Sequence, residues 1–96
     1  MSKQTYVFDY SRQANKFLER SQSVISREKV EEGIKLSIKK IKKIENNNSY
    51  VKPLKGTLKG LFRTRIGDIR IIFRFEGTAI IIVEIIEIGQ RGGIYD

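Results

Sequence analysis

Residues 61–88 read LFRTRIGDIRIIFRFEGTAIIIVEIIEI, and the fold turns on how this stretch doubles back on itself. Leu61–Ile66, Ile69–Phe75 and Thr78–Ile88 are dense in β-branched and aromatic residues, which suit a pleated, half-buried surface. Gly67-Asp68 and Glu76-Gly77 separate them. Each pair has the size of a two-residue hairpin loop and supplies a glycine where positive φ is cheap. The reading is a three-stranded antiparallel meander.

Two-residue loops fix the register. A Gly67-Asp68 loop sets Ile66 against Ile69, Arg65 against Arg70, Thr64 against Ile71 and Arg63 against Ile72. A Glu76-Gly77 loop sets Phe75 against Thr78, Phe73 against Ile80, Ile72 against Ile81 and Arg70 against Val83. Side chains alternate between faces. One face then carries Phe62, Ile66, Ile69, Ile71, Phe73, Phe75, Ile80 and Ile82, the expected core. Glu84 falls on that face near its end, where only a strand-end position or a bulge would account for it. The other face carries Arg63, Arg65, Arg70 and Arg74 among Ile72, Ile81 and Val83, and in this register no acid on a neighbouring strand answers them.

Upstream, Tyr6, Val7, Phe8 and Tyr10 mark a first strand over Thr5–Tyr10. Ser11 is a candidate N-cap, and Ala14, Phe17 and Leu18 recur at helical spacing. Ser23 or Ser26 caps a second helix whose apolar stripe runs Val30, Ile34, Ile38, Ile41 and on to Ile44. Glu28, Glu31 and Glu32 lie early in it and Lys35, Lys39, Lys40, Lys42 and Lys43 late, the order that complements the helix macrodipole. The lysine run therefore reads first as a solvated face. Asn46–Ser49 ends the helix. Val51–Gly60 reads as a linker, since Pro53, Gly56 and Gly60 suit neither a central strand nor a regular helix; it carries Lys52, Lys55 and Lys59. The expectation is an α+β fold in the order β-α-α-β-β-β: a two-helix hairpin on one face of a small, mainly antiparallel four-stranded sheet, in one domain over residues 1–96.

Composition narrows the chemistry. With no cysteine and no histidine among 96 residues, thiolate metal sites, a cysteine nucleophile and a histidine base are excluded. Nineteen Lys and Arg against eleven Asp and Glu leave a net charge of +8, which suits a polyanionic partner. Met1–Tyr10 has no signal-peptide pattern, and the apolar run Ala79–Val83 is too short to span a membrane, so a cytoplasmic protein is expected.

The arginine face is the informative feature. Opposed Arg65 and Arg70 cost stability, and a guanidinium is a planar fork matched to phosphate oxygens. Lysine or threonine would keep a face wet without that geometry. The reading is a site for a phosphate or an RNA backbone on an open sheet. The tail, Gln90-Arg91-Gly92-Gly93-Ile94-Tyr95, adds a cation at Arg91 and a phenol at Tyr95.

The stretch VKPLKGTLKGLFRTRIGDIRIIFRF, Val51–Phe75, resembles the core signature of the RelE/ParE toxins of type II toxin–antitoxin systems. That signature runs Leu-Lys-Gly, an aromatic, Arg-x-Arg, a Gly-Asp turn, an aromatic-Arg pair and an apolar strand. The ending QRGGIY is similar to the Arg-x-x-x-Tyr close of the RelE branch. The resemblance implies a ribosome-dependent mRNA endoribonuclease that works in the A site by 2′-hydroxyl attack on the adjacent phosphate, without metal or cofactor. It implies Arg63, Arg65, Arg70, Arg91 and Tyr95 as catalytic residues; the neighbouring cations Lys52, Lys55, Lys59 and Arg74 are expected to contact the RNA. It also implies mRNA on the ribosome as target and a RelB-like antitoxin as partner in a hetero-oligomer. Some relatives carry lysine where this chain has Arg63 and Arg65. Arginine is too weak an acid to serve as a base, which leaves Tyr95, Lys52, Lys55 or charge stabilisation alone. The alternatives are a ParE-like toxin that inhibits DNA gyrase without nuclease activity, and a basic RNA-binding module.

Overall fold

The computed structural model of the chain describes residues 4–90. The elements are β1 (Thr5–Tyr10), α1 (Arg12–Arg20), α2 (Arg27–Ile41), β2 (Tyr50–Pro53), a 3₁₀ turn (Gly56–Leu58), β3 (Phe62–Ile66), β4 (Ile69–Glu76) and β5 (Ile80–Gln90). The five strands form one sheet in the order β1-β5-β4-β3-β2. β1 runs parallel to β5 and every other pair is antiparallel.

This is the expected α+β architecture with one strand more. Tyr50–Pro53, of which Val51–Pro53 was read from the sequence as linker, pairs with β3 at the sheet edge. Pro53 is tolerated there because an edge strand has one side free of ladder bonds. It is also the last residue of its strand, opposite Phe62.

Both helices start where the serines indicate. The Ser11 side chain accepts from Ala14 N and the Ser26 side chain accepts from Lys29 N. Val30, Ile34 and Ile38 of α2 are fully buried. The helix stops at Ile41, so Ile44 lies beyond it and is exposed. On the sheet, Ile69, Ile71 and Phe73 of β4 and Ile81, Val83, Ile85 and Ile88 of β5 join the helices in one core. Tyr6, Phe8, Tyr10, Phe62, Ile66 and Phe75 pack around it half-buried. At the centre of the α2–β3 contact, Ser37 Oγ donates to Gly33 O at 2.9 Å and lies 2.8 Å from Thr64 Oγ1. Each buried hydroxyl thereby meets a partner, as burial requires.

The β3–β4 register is the one the Gly67-Asp68 loop dictates: Ile66 faces Ile69, Arg65 faces Arg70, Thr64 faces Ile71 and Arg63 faces Ile72. The β4–β5 register differs from the expectation. Phe75 pairs with Val83 and Arg74 with Glu84. Phe75 was expected opposite Thr78, so β5 is displaced by five positions, an odd number, and its two faces exchange. Ile81 and Val83 are buried, while Ile80 and Ile82 are 60% and 46% exposed. The unbroken apolar run Ile80–Val83 carries no alternation, so periodicity cannot choose between the two registers. The turn is also wider than two residues: Gly77 takes φ 114° and Ile82 is the partner of Glu76.

A bulge then corrects the far end of β5. Ile72 pairs with Glu87 but Phe73 with Ile85, leaving Ile86 as the extra residue. It returns Ile88 to the core and turns Glu87 outward, the re-aiming for which bulges serve. The start of α1 grips this irregular backbone. Ser11 Oγ donates to Ile86 O at 2.6 Å, Gln13 Nε2 donates to Ile88 O at 2.8 Å, and Ile88 N donates to Gln13 Oε1 at 2.9 Å.

Candidate nucleic-acid interface

The face of the sheet turned away from the helices can be read off the register as rows across the strands. One row runs Tyr50, Arg65, Arg70, Gly89. The next runs Lys52, Arg63, Ile72, Glu87. A third holds Arg74, Glu84 and Asp9, and a fourth Glu76, Ile82 and Val7. The face is therefore graded. Its β2–β4 side is cationic, and its β5–β1 side is acidic and apolar, with Val7, Ile80 and Ile82 all exposed.

Arg63, Arg65 and Arg70, proposed from the sequence, come together in adjoining rows, and Lys52 joins them directly opposite Arg63. Arg63 and Arg65 are half-buried. Arg70 is buried, at 7% exposure, which departs from the expectation of a wholly wet face. It sits opposite Gly89, which presents no side chain, and beside fully buried Ile72. A guanidinium keeps its charge even when buried, so Arg70 is a fixed cation held in the sheet.

Arg74 lies apart from this group. Its Nε donates to Glu84 Oε1 at 2.7 Å and its Nη2 to Glu84 Oε2 at 3.1 Å, a two-pronged pair on the surface. The hydrogen bonds from Arg74 hold the Glu84 carboxyl below its ordinary range, and Glu84 holds the Arg74 guanidinium above its own. The expectation that no acid answers the arginines therefore fails here. It followed from the register of a two-residue Glu76-Gly77 loop, which had put Glu84 on the core face. Lys55 and Lys59 are exposed and flank the 3₁₀ turn outside the strands. Arg91 and Tyr95 lie outside the described residues.

Two residues were not assigned to the site from the sequence, Tyr50 on this face and Lys40 of α2 at its edge, the latter read as part of a solvated lysine run. Tyr50, 68% exposed, has the Arg65 guanidinium 5.1 Å from its ring centroid. Lys40, near the end of α2, donates from Nζ to Ser49 O at 2.8 Å, just before β2. Together with Lys52, Arg63 and Arg65 they line a pocket of about 130 Å³ at the sheet edge. The signal was present in Tyr50-Val51-Lys52, whose middle residue alone is apolar. Val51 turns towards the core and its neighbours towards solvent.

Chemically, the arrangement offers several donors converging on one side of a sheet, with nothing to extract a proton at neutral pH among the arginines. It can hold phosphate oxygens and stabilise negative charge that develops on them. None of the described helices is long and apolar enough to cross a membrane.

No family model matches the chain, and comparison with curated proteins finds no relative. Solved structures do match. YafQ from E. coli superposes with a TM-score of 0.58 at 16% identity, over 96% of this chain and 100% of that one. The YoeB/ParE toxin from Agrobacterium tumefaciens gives 0.59 at 20% identity, over 88% and 97%. A chain of the toxin–antitoxin complex RelBE2 from Mycobacterium tuberculosis gives 0.53 at 18% identity, over 91% and 99%. At these identities the likeness is one of fold. It is the α+β fold that the resemblance in Val51–Phe75 implied.

Proposed function

We propose that this chain is the toxin of a type II toxin–antitoxin pair and that it cleaves mRNA in the ribosomal A site. The observation that carries the reading is the pair of cationic rows, Arg65–Arg70 and Lys52–Arg63, on the helix-free face of a fold shared with solved toxins. In the reaction the 2′-oxygen bonds to phosphorus, the bond to the 5′-oxygen breaks, and a 2′,3′-cyclic phosphate and a 5′-hydroxyl result. Arg63, Arg65 and Arg70 neutralise charge on the phosphorane oxygens, which cations fixed in advance do best. The 2′-hydroxyl proton passes to a group other than these arginines, with Tyr95, Lys52 and Lys55 as candidates. Arg91 and Tyr95 of the tail complete the site, and Tyr95 stacks on or orients a base. Lys55, Lys59 and Arg74 extend the RNA contact, and a RelB-like antitoxin silences the toxin by covering the basic face.

The test is induction of the chain in cells, wild type beside Arg70→Lys, with mRNA ends mapped on translating ribosomes. Lysine keeps the charge and most of the stem of a buried residue but loses the fork. Cuts at A-site codons in the wild type, sharply reduced in the variant, are expected. Growth arrest with double-strand DNA breaks and no such cuts would replace this reading with gyrase inhibition. Neither effect would leave a basic RNA-binding module.

A further inference from the structure

We infer that Tyr50 is a platform on which one base of a single-stranded RNA stacks, with Lys40, Lys52, Arg63 and Arg65 gripping the phosphates on either side. The inference rests on the RNA reading above and adds a base contact that comes from the sheet edge, far in sequence from Tyr95.

Four observations converge. Tyr50 is a large aromatic residue left 68% exposed on an otherwise cationic surface. A single exposed ring is ordinary by itself; what distinguishes this one is that an amphipathic aromatic plane stands among cations. Arg65 lies over the ring at 5.1 Å and is its direct cross-strand partner. This holds the ring across the strands, as a cation on an aromatic face does, and leaves the remainder of its surface open. The adjoining pocket of about 130 Å³ is lined by four cations, Lys40, Lys52, Arg63 and Arg65, and by no carboxylate. Finally, Tyr50 lies on the outermost strand, so a chain crossing along the Arg70–Arg65 row leaves the sheet over it.

An aromatic plane beside phosphate-gripping cations is the usual composition of a surface for single-stranded nucleic acid. A polyanion without bases would use the cations and have no use for the ring. An acidic peptide would likewise pair with the lysines but gain little from a stacked Tyr–Arg plane. The chemistry therefore selects a ligand that is both anionic and planar.

The chain has no tryptophan, so Tyr50→Trp places a single reporter at the site. The probes are a single-stranded RNA of roughly 12 nucleotides, within the span of such surfaces, and inorganic polyphosphate. Quenching of the Trp emission by the RNA and not by polyphosphate is expected. In parallel, Tyr50→Ala should weaken binding of labelled RNA roughly 5- to 160-fold, the equivalent of one stacked base. Tyr50→Phe should bind as the wild type does, and the salt dependence of binding should be unchanged in all three, since no phosphate contact is lost. If RNA binds without quenching, or Tyr50→Ala binds as tightly as wild type, the stacking role falls while the RNA reading stands. Equal quenching by polyphosphate also overturns it. Failure of the wild type to bind RNA at low salt removes both readings together.

Discussion

Arg65 and Arg70 are directly paired across β3 and β4, two guanidinium-bearing residues at a position where a sheet gains stability from opposite charges. Their apposition costs something like 0.2–1 kcal/mol, and salt should relieve it. Between about 0.01 and 0.15 M salt the screening length falls from about 30 Å to about 8 Å. The wild type should unfold at higher urea in the saltier buffer. Arg65→Gln should show a smaller gain and weaker RNA binding. An equal salt response in both proteins would mean that the pair does not repel.

The displaced β4–β5 register can be tested by neighbouring substitutions in one strand. Ile81→Ala and Phe73→Ala remove fully buried side chains and should cost roughly 2–5 kcal/mol. Ile82→Ala, at an exposed position one residue on, should stay within about 0.5 kcal/mol of wild type. Urea titration of the three variants decides the matter. The reverse order for Ile81 and Ile82 would restore the register that a two-residue turn demands.

Gly77 has a stricter requirement than its neighbours. It takes φ 114°, and a Cβ there would lie 2.0 Å from Ile80 O, a backbone atom that cannot swing aside. Gly77→Ala should destabilise by at least about 1 kcal/mol. The loss should also free the contact in which Lys42 Nζ donates to Gly77 O at 2.8 Å. An unchanged melting curve would show that the turn can adopt another path.

Tyr10 ties β1 to α2: its hydroxyl donates to Glu31 Oε2 at 2.6 Å while the Arg27 guanidinium lies 4.2 Å from its ring centroid. Burial first, then the Glu31 carboxylate, raise the phenol well above its ordinary 10.0. A group whose folded pKa is raised contributes stability below its unfolded pKa and loses it as pH climbs towards the folded one. Stability of the wild type should therefore fall steeply above about pH 10. Tyr10→Phe should be less stable at pH 7, by about 1 kcal/mol for the lost hydrogen bond, and flatter across the alkaline range. Parallel slopes above pH 10 would remove Tyr10 as the cause.

How much of this could be read from the sequence follows from which physical signals are local. Ser11 and Ser26 cap helices because their hydroxyls meet backbone groups three residues away; spacing points to Ser11 and narrows the second cap to Ser23 or Ser26, of which the structure uses Ser26. The β3–β4 register was legible because Gly67-Asp68 is a true two-residue loop between alternating strands. The β4–β5 register was not. Ile80–Val83 has no alternation, and its faces are chosen by partners far away in sequence, β1 on one side and Phe73 and Phe75 on the other. Glu84 showed the problem in advance: a carboxylate with no place in a core is explained once it faces Arg74. The arginine cluster was legible from its side of the hairpin. Its extension to Tyr50 is hidden because Pro53 argues against a central strand, and nothing local in the segment marks an edge strand.

The parallel pairing of β1 with β5 joins residues 5–10 to residues 80–85. Ser11 and Gln13 carry the connection on to the bulge at Ile86–Ile88. Made from its N-terminus, the chain must therefore keep Tyr6, Phe8 and Tyr10 without their sheet partner until residues 80–85 have left the ribosomal exit tunnel. β5 lies between β1 and β4 and is the last of the described strands in chain order, so β1 joins the sheet late, with the slow closure that long-range strand pairing imposes. The cationic rows need no such wait, since β2, β3 and β4 follow one another in the chain and pair in that order.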